Sequence, residues 1–135
     1  MVEDNAADVY LAQLLLDRAE AEYEMSVARD GQEALAALGL DGKPRKHRLP
    51  DVILLDLNLP KVDGWEVLRQ IKADDEAKLV PVVILSSARS ESEINRCYEL
   101  SANAFVQKVE EVKSMEAAMR ALAEFWFQTT LLPQC

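Results

Sequence analysis

The sequence predicts an α/β fold in which a five-stranded parallel sheet carries helices on both of its faces. Segments with apolar residues three or four positions apart, typical of amphipathic helices, alternate along the chain with short, almost wholly apolar segments. Unbroken apolar strands are typical of a parallel sheet that is covered on both sides. The alternation indicates strand–helix–strand units with right-handed crossovers, and such units build a doubly wound sheet.

The first half of the chain contributes two helices and a short strand, after a first strand of which only Met1 and Val2 precede Glu3. Leucines and alanines three or four residues apart predict the first helix, which Asn5 or Asp8 would cap. A run that contains glycine, proline and five basic residues, counting the single histidine, is predicted to be a loop. In chain order these elements are a helix at 6–19, a strand at 25–28, a helix at 32–38 and the loop at 39–50.

The second half of the chain contributes the clearest strands. Each is a short apolar run, and the helices between them place apolar residues on one side. We expect the last helix to extend into the tail, with Met115, Met119, Leu122 and either Phe125 or Trp126 facing inward. In chain order these elements are a strand at 52–55, a helix at 64–72, a strand at 82–85, a helix at 90–100, a strand at 104–107 and a helix from 112 to about 130.

Length, charge and cysteine content limit the classes of function. A chain of 135 residues suits one domain with a real core. With 24 acidic and 15 basic residues its formal net charge is −9, which disfavours nucleic-acid and anionic membrane surfaces. The sequence has no membrane-spanning apolar run and no signal-peptide pattern. Cys97 and Cys135 are interpreted as free thiols, so we expect a cytoplasmic protein.

Polar residues follow four of the five predicted strands. The carboxyl ends of parallel strands meet at one edge of the sheet, so these side chains should share a cleft. Carboxylates packed together repel each other, and a divalent cation, most readily Mg²⁺, removes that cost. The residues are Glu3 and Asp4 after the first strand, Asp56 after the third, Ser86 and Ser87 after the fourth, and Lys108 after the fifth.

Such a cleft suits the chemistry of an aspartyl phosphate. Asp56 would be the nucleophile toward a phosphoryl group. Asp4 would bind the metal, and Glu3 would bind it directly or through water. Ser86 and Lys108 would contact phosphoryl oxygens, with the lysine neutralising their charge.

Five motifs follow one another along the chain: VEDN at 2–5, DVILLDLNLP at 51–60, DG at 63–64, PVVILSS at 81–87 and the single Lys108. Together they resemble the receiver domain of two-component response regulators, the CheY-like family. The resemblance covers residues 1–135 as a single receiver domain, with an extended C-terminal helix and tail from about residue 112. It implies the flavodoxin/CheY-like strand order 2-1-3-4-5. It also implies a phosphoacceptor that takes its phosphoryl group from a sensor histidine kinase onto Asp56, and the main-chain carbonyl of Asn58 as a Mg²⁺ ligand.

The tail narrows the resemblance. The segment AEFWFQTTLLP, the basic loop and the absence of an output domain are similar to small single-domain regulators paired with phytochrome kinases. Phe125, Trp126 and Phe127 are consecutive, so one helix cannot turn all three inward. With Leu131 and Leu132 they predict an exposed apolar patch, and we expect a two-fold dimer through this helix and its neighbours.

Several positions depart from the family pattern. The family has several apolar residues before the acidic pair, whereas only Met1 and Val2 precede it here. Burial of an aliphatic side chain stabilises by roughly 1.5–3 kcal/mol, so we expect the natural chain to begin upstream. Val109 replaces the proline of the usual Lys-Pro pair, and a trans peptide with a shifted loop is expected. Ser86 replaces the switch threonine, and Phe105, at the switch aromatic position, lacks the hydroxyl of a tyrosine.

Three other functions compete with this interpretation. A phosphatase of the haloacid dehalogenase type needs a second aspartate as general acid where this chain has Asn58. A flavodoxin-like FMN carrier needs a phosphate loop near a helix N-terminus, but the first loop here is acidic. The strongest alternative is a degenerate receiver that acts as a docking module without phosphorylation, because Phe105 and Val109 weaken the switch.

Overall fold

Three regular strands form the centre of the fold in a computed structural model that describes residues 1–134. They pair in parallel in the order β1-β2-β3, with Ile53 opposite Val82 and Val83 opposite Ala104. The elements are β1 (Ile53–Leu55), β2 (Val82–Ser86) and β3 (Ala104–Gln107), with helices α1 (Ala6–Arg18), α2 (Gly31–Ala37), α3 (Gly64–Ala73), α4 (Glu91–Glu99) and α5 (Val112–Ala123), and a 3₁₀ turn at Ala77–Leu79.

The first two predicted strands are each reduced to a single bridging residue. Val2 pairs in parallel with Leu55 on one side and with Ala28 on the other. Its N–H donates to the carbonyl of Leu54 at 2.8 Å, and its carbonyl accepts from the N–H of Asp56 at 3.0 Å. The predicted strand order is therefore confirmed. Three regular strands form among the described residues, because Val2 and Ala28 contribute only isolated bridges.

The helix boundaries lie within a residue or two of the predicted ones, except at the end of the chain. Asn5 caps α1 by accepting from two amides of its first turn, so Asn5 and not Asp8 is the cap. Asp30, Asp63 and Ser90 each accept from the amide three residues later and cap α2, α3 and α4. Across the described residues, none of the helices combines the length and the apolar character needed to cross a bilayer.

The sheet separates two apolar cores, as predicted for a doubly wound fold. Alternate residues of each strand point to opposite faces of a sheet. One face packs against α2, α3 and α4, and the other packs against α1 and α5. The first core contains Ile53, Leu55, Val82, Ile84, Val67, Leu68 and Ile71, and the second contains Leu54, Val83, Leu85, Leu15, Leu16, Met115 and Met119.

The last helix changes geometry before its predicted end. The α-helix stops at Ala123, and Glu124–Thr129 form a wider π-helical turn. The N–H of Thr130 accordingly donates to the carbonyl of Phe125, five residues back, at 2.8 Å. Trp126 packs against the core shared with α1, while Phe125 is 52% exposed. Of the two aromatic residues proposed to face inward, Trp126 does so.

Gly64 allows α3 to begin directly against the end of β1. A Cβ atom at this position would lie 2.3 Å from the carbonyl oxygen of Asp56 and 2.5 Å from the Cα atom of Leu57. The N–H of Gly64 also donates to the carbonyl of Leu57 at 2.9 Å. The glycine therefore fixes the distance between the helix and the chain that carries Asp56.

We expect the substitution Gly64→Ala to lower the free energy of unfolding by about 3 kcal/mol, because the new methyl group collides with backbone that cannot move independently. Urea denaturation measures this loss. Gly42→Ala is the control, since a Cβ there meets nothing within 4 Å and only the positive φ of 83° is strained, at about 1 kcal/mol. Equal losses for the two variants would contradict the close approach at Gly64.

Candidate functional site

Three carboxylates meet at the carboxyl edge of the sheet. Oxygen atoms of Glu3, Asp4 and Asp56 all lie within 4.8 Å of one another. Glu3 is 2% exposed and Asp56 is 7% exposed, whereas Asp4 faces solvent. The bridge made by Val2 places Glu3 beside the end of β1. Acids from two separated parts of the sequence are thus brought together, as the strand-end pattern predicts.

Lys108 lies among these acids. Its Nζ atom is 2.7 Å from Oε2 of Glu3 and 3.6 Å from Oδ2 of Asp56. A third carboxylate, that of Asp8, lies 3.1 Å from the same nitrogen. The backbone of Lys108 is fixed beside the end of β2, because its main-chain N–H donates to the carbonyl of Ser86, the last residue of β2, at 2.8 Å.

Asp8 is the site residue that the sequence analysis missed, since it was considered only as a helix cap. A signal was present. Asp8 lies in the first turn of α1, directly after the acidic pair and the Asn5 cap, so the start of the helix places its carboxylate near the same edge.

Burial and the contact between Glu3 and Lys108 have opposite effects on the pKa of each of these two residues. Burial raises the pKa of Glu3, and the hydrogen bond from Lys108 reduces this rise without removing it. Burial lowers the pKa of Lys108, but the hydrogen bond to Glu3 and the charge of Asp56 outweigh it, so this pKa lies above its ordinary value. The ammonium therefore stays protonated while it faces more negative charge than it can neutralise.

The donor set fits a divalent cation. It consists of oxygen atoms, carries a surplus of negative charge over Lys108, and is open to solvent through Asp4. Hard cations such as Mg²⁺ and Mn²⁺ take such ligands. The peptide of Asn58 lies against the cluster, because its N–H donates to Oδ1 of Asp56 at 3.3 Å. Its carbonyl as a metal ligand stays a prediction.

The residues predicted to sense the phosphoryl group lie on β2, directly after it, and on β3. Ser86 is fully buried, and its Oγ atom accepts from the N–H of Ala88 at 3.2 Å. Ser87 is exposed. Phe105 is half-buried, and its N–H donates to the hydroxyl of Tyr98 at 3.1 Å. Ser86 and Phe105 thus occupy neighbouring strands, and their switching role stays a prediction.

The peptide between Lys108 and Val109 is trans, as expected, since no cis peptide occurs in residues 1–134. The N–H of Val109, which a proline would lack, donates to Sδ of Met115 at 3.3 Å. The replacement of proline therefore adds a contact to α5, and Lys108 still reaches the acids.

The predicted dimer patch is divided between core and surface. Phe125 is 52% exposed and Leu131 is 97% exposed. Trp126, Phe127 and Leu132 are half-buried, and the two aromatic rings pack against the core formed with α1 and α5. The accessible part of the patch is therefore smaller than the five predicted residues, and dimerisation stays a prediction.

Comparison with known sequences agrees with this geometry. The response regulator receiver domain matches residues 1–125. Response regulator Rcp1 of Synechocystis sp. is 38% identical over 133 residues, which cover 98% of this chain and 90% of Rcp1. The probable methanogenesis regulatory protein FilR2 of Methanothrix harundinacea is 35% identical over 127 residues, covering 93% of this chain and 81% of FilR2.

Comparison with solved structures gives the same result. The phosphorylated cyanobacterial phytochrome response regulator RcpA superposes with a TM-score of 0.90 at 41% identity, covering 98% of this chain and 95% of RcpA. The Mn²⁺-bound form of Rcp1 superposes with a TM-score of 0.85 at 37% identity, covering 98% and 96% of the two chains. The fold is therefore one that many solved structures share.

We expect Mg²⁺ to raise the melting temperature of the wild-type protein, because an ion that binds only the folded state stabilises it. At ten times the dissociation constant this amounts to about 1.4 kcal/mol. Differential scanning fluorimetry with and without EDTA measures the effect, and Asp4→Asn should abolish it. Asp51→Asn removes an exposed acid that pairs with Arg48 and should leave it unchanged. A metal-induced shift that survives Asp4→Asn would contradict the ligand set.

Proposed function

The chain belongs to the response regulator receiver domain family, and we propose that it accepts a phosphoryl group on Asp56 from the phosphohistidine of a sensor histidine kinase. The single observation that most supports this is the position of the Lys108 ammonium, 3.6 Å from a carboxylate oxygen of Asp56. A cation at that place lies ready to contact a phosphoryl group bound to the same carboxylate. The proposal treats residues 1–135 as one receiver domain that signals and does not transform an external substrate.

The chemical step is a direct displacement at phosphorus. An ionised oxygen of Asp56 attacks the phosphorus atom, the phosphorus–nitrogen bond of the phosphohistidine breaks, and its electron pair stays on the imidazole. The nucleophile is already a carboxylate, so no general base is required. Lys108 donates a hydrogen bond to a phosphoryl oxygen and neutralises part of its charge.

Glu3, Asp4, Asp56 and the main-chain carbonyl of Asn58 would hold Mg²⁺ in this reaction. When bound, the ion neutralises charge on the phosphoryl oxygens and on the acids around them. The surplus of carboxylates over Lys108 gives a physical reason for the requirement, since a phosphoryl dianion would otherwise enter a negatively charged cleft. Oxygen ligands open to water on one side suit an ion that keeps part of its hydration shell.

Ser86 and Phe105 would convert phosphorylation into a change of shape. The hydroxyl of Ser86, whose Oγ atom now accepts from Ala88, would turn to donate to a phosphoryl oxygen. Phe105 lies opposite Ile84 on the neighbouring strand and is tied to α4 by Tyr98, so movement there reaches the helix. The phosphoryl group thereby shifts an existing equilibrium between two arrangements.

We further propose that the partner kinase is a phytochrome and that both proteins act in the cytoplasm. The support is the similarity to RcpA, which is described as a cyanobacterial phytochrome response regulator. The net charge of −9 speaks against nucleic acid and anionic membrane as partners. Phe125 and Leu131 would contribute the exposed part of a homodimer surface.

A second candidate function is docking without phosphorylation. It is favoured by Phe105, which lacks the hydroxyl that a tyrosine would use to hold the switched position. In this case Asp56 and Lys108 would serve only as a buried ion pair. Family membership speaks against the phosphatase and the flavin carrier, but not against this alternative.

We expect wild-type protein incubated with Mg²⁺ and a small phosphodonor to gain the mass of one phosphoryl group in intact mass spectrometry. Asp56→Asn should gain none, because the nucleophilic carboxylate is gone. Asp51→Asn, with its change five residues upstream on the surface, should behave like wild type. Unmodified wild-type protein that still binds its kinase would favour the docking alternative.

Sedimentation at tens of micromolar should show a dimer, and the double variant Phe125→Ser/Leu131→Ser should dissociate it, because both side chains are exposed and apolar. Leu79→Ser removes another exposed apolar side chain, on the 3₁₀ turn that packs with α3, and should leave the dimer intact. A wild-type monomer at that concentration would contradict the proposed dimer.

A further inference from the structure

Lys108 is not centred between the acids that surround it. Its ammonium lies 2.7 Å from Glu3 and 3.1 Å from Asp8, which are hydrogen-bond distances, but 3.6 Å from Asp56. An ammonium has three N–H donors, and two of them are committed to Glu3 and Asp8. The charge that should serve the phosphoryl group is thus drawn toward the start of α1.

We propose that Asp8 is a positioning residue that holds Lys108 away from Asp56 in the resting protein, so that phosphorylation exchanges the Asp8–Lys108 ion pair for a contact between Lys108 and the phosphoryl group. This inference rests on the proposed role of Asp56 as phosphoacceptor. It assigns to the carboxylate of Asp8 a control over how readily the phosphorylated arrangement forms.

Burial decides which partner Lys108 releases. The side chain of Glu3 is 2% exposed, and separating it from the ammonium would leave a buried charge without compensation. The side chain of Asp8 is 37% exposed, so water can replace the ammonium at much smaller cost. Asp8 is therefore the partner that gives way, and Glu3 remains bound to the lysine or to a metal ion.

A cavity lies beside the Asp8–Lys108 pair, on the side of α1 and α5. It has a volume of about 50 Å³ and is lined by Asp8 and Lys108 together with apolar side chains that include Leu11, Val109 and Met115. A tightly packed lysine stem would resist displacement, because protein interiors leave few gaps. This volume also admits at least one water molecule, which could hydrate the released carboxylate.

The test compares wild type, Asp8→Asn, Asp8→Glu and Asp51→Asn as full chains. Affinity for beryllofluoride in the presence of Mg²⁺, measured by titration calorimetry, reports on the phosphorylated arrangement. NMR of the lysine ammonium groups in metal-free protein reports on Lys108 directly, with its signal identified by loss in Lys108→Gln. Lys72 is the internal reference, because it donates to the carbonyls of Lys78 and Val80 and to the side chain of Asn103, remote from the site.

The expected result is that Asp8→Asn binds beryllofluoride roughly three- to tenfold more tightly than wild type, since a partly buried ion pair no longer competes. The Lys108 signal should move in this variant while the Lys72 signal stays. Asp8→Glu, which keeps a carboxylate, and Asp51→Asn should both resemble wild type. In wild-type protein alone, beryllofluoride with Mg²⁺ should also move the Lys108 signal.

Unchanged or weaker binding by Asp8→Asn would overturn the inference. So would tighter binding with an unmoved Lys108 signal, because the effect would then be direct repulsion between Asp8 and the ligand. Failure of wild-type protein to bind beryllofluoride at all would overturn the proposed phosphoacceptor function, and the inference with it.

Discussion

The site depends on the ion pairs that the ammonium of Lys108 makes with the carboxylates around it. Its hydrogen bond to Glu3 joins residues 105 positions apart in the sequence. The bond forms at the edge of the sheet where the Val2 bridge, β1 and β3 end. Without this cation, Glu3 would be a buried carboxylate beside a second one, and like charges in a region of low dielectric are expensive. The strand register must therefore place Lys108 accurately, because a shift by one residue would turn its side chain toward the opposite face of the sheet.

Hydrogen bonds, more than apolar burial, hold the acids in place. The segment before Glu3 contributes one buried aliphatic side chain, that of Val2. Its backbone is nevertheless fully committed, because its N–H and carbonyl bond to Leu54 and Asp56, and the N–H of Glu3 bonds to the carbonyl of Ala28. Backbone bonds of this kind fix height and direction accurately. They explain how so short a segment can still align Glu3 with Asp56.

The parts of the site that could be predicted were those that follow from a rule of topology. Strand ends in a parallel sheet share an edge, so Asp56, Glu3 and Lys108 could be placed together before their distances were known. Asp8 escaped because an acid near the start of a helix is ordinarily explained as its cap. The π-helical turn at Glu124–Thr129 escaped because apolar spacing does not distinguish a bond to the fourth residue from one to the fifth. The ion pair with Lys108, a tertiary contact, reveals the role of Asp8.

The contacts of α4 indicate that this helix is the element most easily displaced by a change at Asp56. Gly64 packs on the peptide of Asp56, and the next residue, Trp65, carries Arg96 of α4 over its ring at 4.3 Å. On the other side, Tyr98 of α4 accepts from the edge strand. Cys97 is the buried residue of α4, whereas α3 buries four. A helix held by half-exposed polar contacts moves more cheaply than one held by a packed core, because water can replace those contacts. Displacement at the acidic edge should therefore appear first at α4.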